Sequence, residues 1–117
     1  MLFRSNAPKI FPKDCIINFN EPREKVHNFI RGLSPYPGAV TEVSGHRLKL
    51  LRSHRSEDAP SKLAAGQFQL SLDAKLLFVG TSTEPLEILE LQRDGKRAMS
   101  AEEFLRGNAG LFDFPNS

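Results

Sequence analysis

The segment from His46 to Arg55 is the densest basic stretch of the sequence. If it forms a β-strand, Arg47 and Lys49 project from one face and Leu48 and Leu50 from the other, because side chains alternate along a strand. A row of exposed cations of this kind neutralises the phosphates of a nucleic acid and releases their counterions. The alternative is an edge strand whose charges only prevent aggregation.

Two further groups of cations are weaker candidates for the same chemistry. Lys9 and Lys13 lie in the first part of the chain, which could run along a phosphate backbone. Arg93, Lys96 and Arg97 surround a predicted turn, with Lys96 and Arg97 preferred, but nearby acidic side chains weaken the local field. We rank the strand residues first, the early lysines second and the turn third.

The net charge of +2 conceals an uneven distribution along the chain. Residues 1–56 contain ten Lys or Arg and four Asp or Glu, whereas residues 57–117 contain six and ten. A basic first half indicates a polyanionic partner, although charged solvated faces are also common on proteins that have none.

The residue types that usually perform catalysis or hold metals form no recognisable motif in this sequence. His27, His46 and His54 lack the spacing of a metal site, and His27 is expected to be exposed on a helix. Cys15 is the only cysteine, which excludes an internal disulfide and a cysteine-based zinc site, so we expect it to be a small apolar residue. Ser100 belongs to no nucleophile motif. We therefore expect no catalytic residue, metal or cofactor in this chain alone.

Length and hydropathy limit the class of protein. A chain of 117 residues is expected to form one domain. No apolar run approaches the roughly 18 residues of a membrane span, and the first residues lack a signal peptide. With a single cysteine, these features favour a cytoplasmic protein that contacts no membrane.

The first element that positions the basic residues is a helix. Asn20 is the predicted N-cap, and Pro22 has its φ angle preset for the first turn. The helix must end by Ser34, because Pro35 disfavours helical geometry in the residue before it. The predicted apolar face follows a helical spacing and consists of Val26, Phe29, Ile30 and Leu33.

A period of two then predicts strands. The predicted strands, after a possible short one at 15–19, are near residues 40–43, 46–53, 68–72, 76–80 and 85–91. Ser44 and Gly45 form the predicted turn of the first hairpin. Leu51 and Leu89 break the alternation of their strands, which indicates bulges or strands buried on both faces. Short bulged strands favour a small barrel over a sandwich.

A final helix is predicted to begin at Ser100. The sequence from Ser100 to Glu103 is typical of a capping box, in which a serine and a later glutamate satisfy each other's backbone donors. Phe104 and Leu105 form its expected buried side, and Gly107 is the predicted C-cap.

Two stretches of the chain resemble the C-terminal domain of methionyl-tRNA formyltransferases. Residues 30–39 resemble that family's helix end followed by an aromatic residue between prolines and then Gly-Ala. Residues 89–107 are similar to its closing block of Gln, a Gly-Lys pair, Met and a short helix with Phe-Leu-x-Gly. Residues 7–10 resemble the stretch that joins the family's two domains, and the likeness extends over about residues 7–112.

The sequence departs from the family pattern at three points. Asn18-Phe19 stands where the family commonly has an acidic residue and Trp, and Glu84-Pro85 stands where it often has Gly. The net charge of +2 is lower than in many related domains. These departures affect the expected strength of RNA binding rather than the fold.

The resemblance implies a fold and its boundaries. The fold is mainly β, a small open barrel resembling the OB fold, with one N-terminal helix and one short C-terminal helix. It implies that residues 15–114 form this domain, that 1–14 are a tether from a missing catalytic domain, and that 115–117 are a tail.

The resemblance also implies a division of labour. The missing N-terminal domain would hold 10-formyltetrahydrofolate and formylate the amino group of methionyl-initiator-tRNA in translation initiation. This chain would hold initiator tRNA by weak, salt-sensitive phosphate contacts beside its own catalytic domain, without activity alone. The alternatives are a structural module of a sugar formyltransferase or a folate dehydrogenase, which does not bind tRNA, and a free-standing protein-interaction domain.

Overall fold

The strand order in the sheet of this protein differs from the order along the chain. A computed structural model describes residues 15–34, 37–43, 45–57, 59, 63–71, 73 and 75–112. The elements are α1 (Arg23–Leu33), β1 (Ala39–Val43), β2 (His46–His54), β3 (Phe68–Leu70), β4 (Leu77–Val79), β5 (Leu86–Arg93), β6 (Ala98–Ser100), α2 (Ala101–Asn108) and a 3-10 turn (Ala109–Phe112). The sheet runs β1-β2-β5-β4-β3, with β6 paired to β5, and all pairs are antiparallel.

The sheet is an open half-barrel. β1 and β3 end the sheet path, so the curved sheet does not close on itself. This confirms the predicted mainly β fold with an open barrel and two helices. The predicted strand at 15–19 is only an isolated parallel bridge between Ile16 and Val40, where the Ile17 N–H donates to the Val40 carbonyl at 2.9 Å.

Helix α1 has the predicted apolar face but not the predicted cap. Val26 and Ile30 are buried on that face, and the helix ends before Ser34 as expected. The prediction that Asn20 caps the helix is wrong, because the N-cap is Pro22, which has no side chain able to accept. The Arg23 N–H instead donates to Thr83 Oγ1 at 2.9 Å, so the acceptor comes from another loop.

The two predicted bulges occur, and they face each other. Leu50 pairs with Leu91, and the next pair is Arg52 with Glu90, so Leu51 is the extra residue of β2. The following pair is Ser53 with Ile88, so Leu89 is the extra residue of β5. One bulge in each strand restores the register, and this coils the longest strand pair of the half-barrel.

A single core joins both helices to the sheet. The fully buried side chains Leu48, Leu50, Ile88 and Leu91 come from β2 and β5. Ile30 of α1 and Phe104 of α2 belong to the same cluster. Residues buried to this degree dominate the free energy of folding.

Two local predictions for the last helix are corrected. Ser100 does cap α2, since its Oγ accepts from the Glu103 N–H at 3.2 Å, but the Glu103 carboxylate binds Arg97. Gly107 is not a C-cap, because it lies inside α2, which continues directly into the 3-10 turn. None of the helices among the described residues is long and apolar enough to cross a membrane.

Candidate nucleic-acid interface

The start of β2 and the β5–β6 turn meet at one end of the half-barrel. The Asp94 N–H donates to the Arg47 carbonyl at 3.2 Å, which extends the β2–β5 pairing into the turn. The Lys96 N–H donates to the Arg93 carbonyl at 2.9 Å, and Gly95 has a φ of +82°. A positive φ of this size favours glycine, so this short turn holds its flanking cations beside β2.

This end of the sheet brings together two groups of cations that are far apart in sequence. Arg47, Lys49 and Arg93 line a shallow groove between β2 and the turn, together with the acidic Asp94. Arg93, Lys96 and Arg97 line a second concavity of about 260 Å³ beside α2. Arg93 belongs to both, so the five side chains form one surface, which we call the basic rim.

The basic rim lies at the ends of two inner strands, β2 and β5, and its side chains leave the sheet on both faces. Lys49 pairs in register with Gln92, which places both on the outer face. Arg93 pairs with Leu48, a core residue, so it leaves the sheet on the inner face. A phosphate backbone that crosses this end of the half-barrel would therefore pass cations from both faces.

Lys49 has an environment suited to an outward-facing cation. Its register neighbours, Val40 on β1 and Gln92 on β5, are both uncharged. Its aliphatic stem lies along the backbone of Gly38, where an added Cβ would be only 2.9 Å from Lys49 Cδ. The packed stem restricts the side chain while the ammonium group can extend to solvent.

Acidic side chains lie beside several of the basic residues. On the outward side of β2, Arg47 lies opposite Glu42, Arg52 opposite Glu90 and His54 opposite Glu87 in register. Arg97 forms an exposed ion pair with Glu103 at 2.5 Å. The register partners of Lys49 include no glutamate, but Asp94 lines the groove that Lys49 shares with Arg47.

Arg93, expected only to flank the turn, makes contacts that the sequence did not predict. Its guanidinium donates to Asn108 Oδ1 at 2.9 Å and lies 3.2 Å from His46 Nδ1. Asn108 in turn donates to the Phe104 carbonyl at 3.1 Å. Arg93 thus ties the turn to α2 and to β2, and only the tertiary structure reveals this.

The remaining site predictions have different outcomes. Lys9 and Lys13 lie outside the described residues, so their proposed role stays a prediction. Cys15 is buried, as expected for a small apolar residue. Among the described residues no group of three or more His, Cys, Asp or Glu could hold a metal ion.

His27 is half-buried, contrary to the expectation of an exposed position. Its Nδ1 lies 2.7 Å from Ser53 Oγ, since α1 packs against the end of β2. Burial lowers the pKa of His27, and the nearby Arg55 and Arg31 lower it further, whereas Glu24 opposes them. The neutral imidazole is therefore favoured in the folded chain.

Comparison with known proteins identifies the family. The family profile described as "Formyl transferase, C-terminal domain" matches residues 9–109, which is most of the chain. The chain belongs to the formyl transferase C-terminal domain family. Within this family, it is 41% identical over 105 residues to the methionyl-tRNA formyltransferase of Cutibacterium acnes, covering 86% of this chain and 33% of that protein. It is 38% identical to the Syntrophomonas wolfei methionyl-tRNA formyltransferase, covering 88% and 32%.

These comparisons confirm the resemblance to the C-terminal domain of methionyl-tRNA formyltransferases. The chain spans about a third of the length of these curated relatives. Among solved structures, it is similar to HypX from Aquifex aeolicus in complex with tetrahydrofolic acid, with a TM-score of 0.64 over 87% of this chain and 18% of that chain. At 16% identity this likeness concerns the fold alone.

Proposed function

We propose that this chain is the C-terminal domain of a methionyl-tRNA formyltransferase and that its basic rim holds initiator tRNA by phosphate contacts. The observation that supports this most is the 41% identity to a methionyl-tRNA formyltransferase over most of the chain. The rim supplies the chemistry, because Lys and Arg side chains dominate affinity for a polyanion.

The rest of the reaction belongs to the other two-thirds of such an enzyme. In this proposal an upstream catalytic domain binds 10-formyltetrahydrofolate and formylates methionyl-initiator-tRNA in the cytoplasm during translation initiation. That domain and the tRNA are the partners of this chain. The chain alone transfers no formyl group.

Binding by the rim should be weak and sensitive to salt. Glu103 pairs with Arg97 and Glu42 lies opposite Arg47, so the rim offers fewer net positive charges than its five cations. Phosphate contacts fix the position of a nucleic acid without reading its sequence. We therefore expect the chain to bind tRNA mainly by shape and charge.

A titration of the chain with initiator tRNA at two salt concentrations tests the proposal. If three phosphates are neutralised, raising monovalent salt from about 50 to about 200 mM should weaken binding roughly 40-fold. Absence of binding at the lower salt, by a sample that circular dichroism shows to be folded, would contradict the proposal. It would favour the structural-module alternative.

A further inference from the structure

A second cluster of basic side chains lies at the opposite end of β2 from the basic rim. Arg23, Glu24 and His27 of α1 and His54 and Arg55 at the end of β2 line a concavity of about 330 Å³, which we call the α1–β2 cleft. Lys49 is the rim residue nearest to the cleft along β2, and it lies five residues before His54, which is roughly 17 Å along the strand. The cleft is a separate surface, and its residues have no part in the proposed rim contacts.

The cleft holds its polar side chains in place. Arg55 contacts Glu24 at 2.5 Å, and Arg23 lies 3.9 Å from Glu84 and donates to the Ser56 carbonyl at 3.4 Å. His27 Nδ1 is engaged with Ser53 Oγ, which leaves Nε2 as the ring nitrogen for a ligand in the cleft. Two guanidinium groups and two imidazoles therefore converge on one concave surface.

We propose that the α1–β2 cleft binds a phosphate group, held by Arg55, Arg23 and the imidazole of His27. The Arg55–Glu24 pair is exposed, and exposed pairs of this kind contribute little stability, so Arg55 can exchange Glu24 for a phosphate at small cost. The planar fork of a guanidinium group can donate to two oxygens of a tetrahedral phosphate at once, and a protonated imidazole adds a third charge-assisted donor.

The charges around His27 make phosphate binding depend on the protonation of its ring. Arg55, Arg31 and His54 disfavour its protonated form, and Glu24 alone among its charged neighbours favours it. A bound phosphate adds negative charge beside His27, so it stabilises the imidazolium. Phosphate should therefore bind more tightly when His27 is protonated, and it should raise the pKa of His27.

The test is an NMR pH titration of the His27 ring in inorganic phosphate and in chloride of equal ionic strength. Phosphate should raise the pKa of His27 by about half a unit or more. The rise should disappear in Arg55→Gln and persist in Arg106→Gln, which breaks another exposed arginine–glutamate pair, that of Arg106 with Glu102 at 3.7 Å. An equal pKa in both salts, or an equal rise in Arg55→Gln, would overturn the proposal.

A parallel titration with initiator tRNA in place of inorganic phosphate identifies the source of the phosphate. A rise in the pKa of His27 with tRNA as well assigns the cleft to the RNA backbone, and a rise with inorganic phosphate alone assigns it to a free phosphate. Inorganic phosphate needs no contact with the rim, so this result stands whether or not the rim binds tRNA.

Discussion

At the scale of single residues, Arg47 and Lys49 show how strand register gives two cations of one strand different partners. Both have the same outward direction, but Glu42 lies opposite Arg47, whereas the register partners of Lys49 are Val40 and Gln92. The alternation along β2 predicted the direction of both side chains. It could not predict their different surroundings, because register across two other strands decides them.

Arg93 and His27 show the limit of sequence reasoning at this scale. Arg93 was grouped with a turn, and His27 was expected to face solvent. Each contacts a residue distant in the chain: Arg93 contacts His46, and His27 contacts Ser53. Contacts of this kind are set by packing, which no local pattern encodes.

Replacement of His27 by Gln should make the stability of the chain less sensitive to acid. The pKa of His27 lies below its usual 6.5 when folded, so the unfolded chain binds this proton more readily. The contribution of neutral His27 is therefore fully present above about pH 6.5 and is lost as the pH falls through the folded pKa.

Urea unfolding at about pH 7.5 and about pH 5.5 measures this effect. The fall in the free energy of unfolding between the two pH values should be smaller for His27→Gln than for the wild type. An equal fall in both proteins would show that another group is responsible.

At the scale of elements, the N-terminus of α1 depends on a loop 60 residues away. Thr83 Oγ1 accepts from the Arg23 N–H, and the Ser82 N–H donates to the Glu21 carbonyl at 3.0 Å. The loop is itself braced, because Thr81 Oγ1 donates to the Glu84 carbonyl at 2.7 Å. Sequence patterns recognise caps that are local, so this one was assigned wrongly to Asn20.

Replacement of Thr83 by Ala should lower the free energy of unfolding by about 1 kcal/mol, because the Arg23 N–H loses its acceptor. Thr83→Ser retains the hydroxyl and should be nearly neutral. Chemical denaturation of the two variants, with Asn20→Ala as a third, measures the difference. A greater loss for Asn20→Ala than for Thr83→Ala would restore the original assignment of the cap.

Two glycines provide a matched test of packing. A Cβ on Gly80 would lie 2.0 Å from the Ala64 carbonyl oxygen, where a parallel bridge joins Gly80 to Ala65. Gly80→Ala should therefore lower the free energy of unfolding by about 3 kcal/mol. Gly32 lies in α1 with nothing within 4 Å of an added Cβ, so Gly32→Ala should raise it by about 0.5–1 kcal/mol. Equal thermal midpoints for the two variants would contradict this packing.

The main elements followed from periodicity, and the exceptions have physical causes. The apolar face of α1 and the paired bulges at Leu51 and Leu89 were readable because long periodic segments carry a strong signal. β6 has only three residues, too few to show a period, so the sequence predicted a helix start there without the strand before it. Gly107 was predicted to be a C-cap because the 3-10 turn that follows α2 was not predicted.

At the scale of the whole molecule, charge collects at the two ends of one strand. β2 pairs with β1 and β5 along its length, and it ends at the basic rim on one side and the α1–β2 cleft on the other. The sequence predicted that the first half of the chain is basic and that one strand carries the preferred cations for RNA contact. It did not predict that the β5–β6 turn would bring Arg93, Lys96 and Arg97 to the same end.

The decisive measurement for tRNA binding by the basic rim compares a rim variant with a matched control. It is the affinity of each for initiator tRNA at low salt. The rim variant is Arg47→Ala/Lys49→Ala, and the control is Lys75→Ala/Arg106→Ala, which removes two exposed positive charges elsewhere. We predict that the rim variant binds more weakly and that its slope of log affinity against log salt falls by about 1.5–2, while the control changes little. Equal losses in the two variants would mean that total charge, and not the basic rim, holds the RNA.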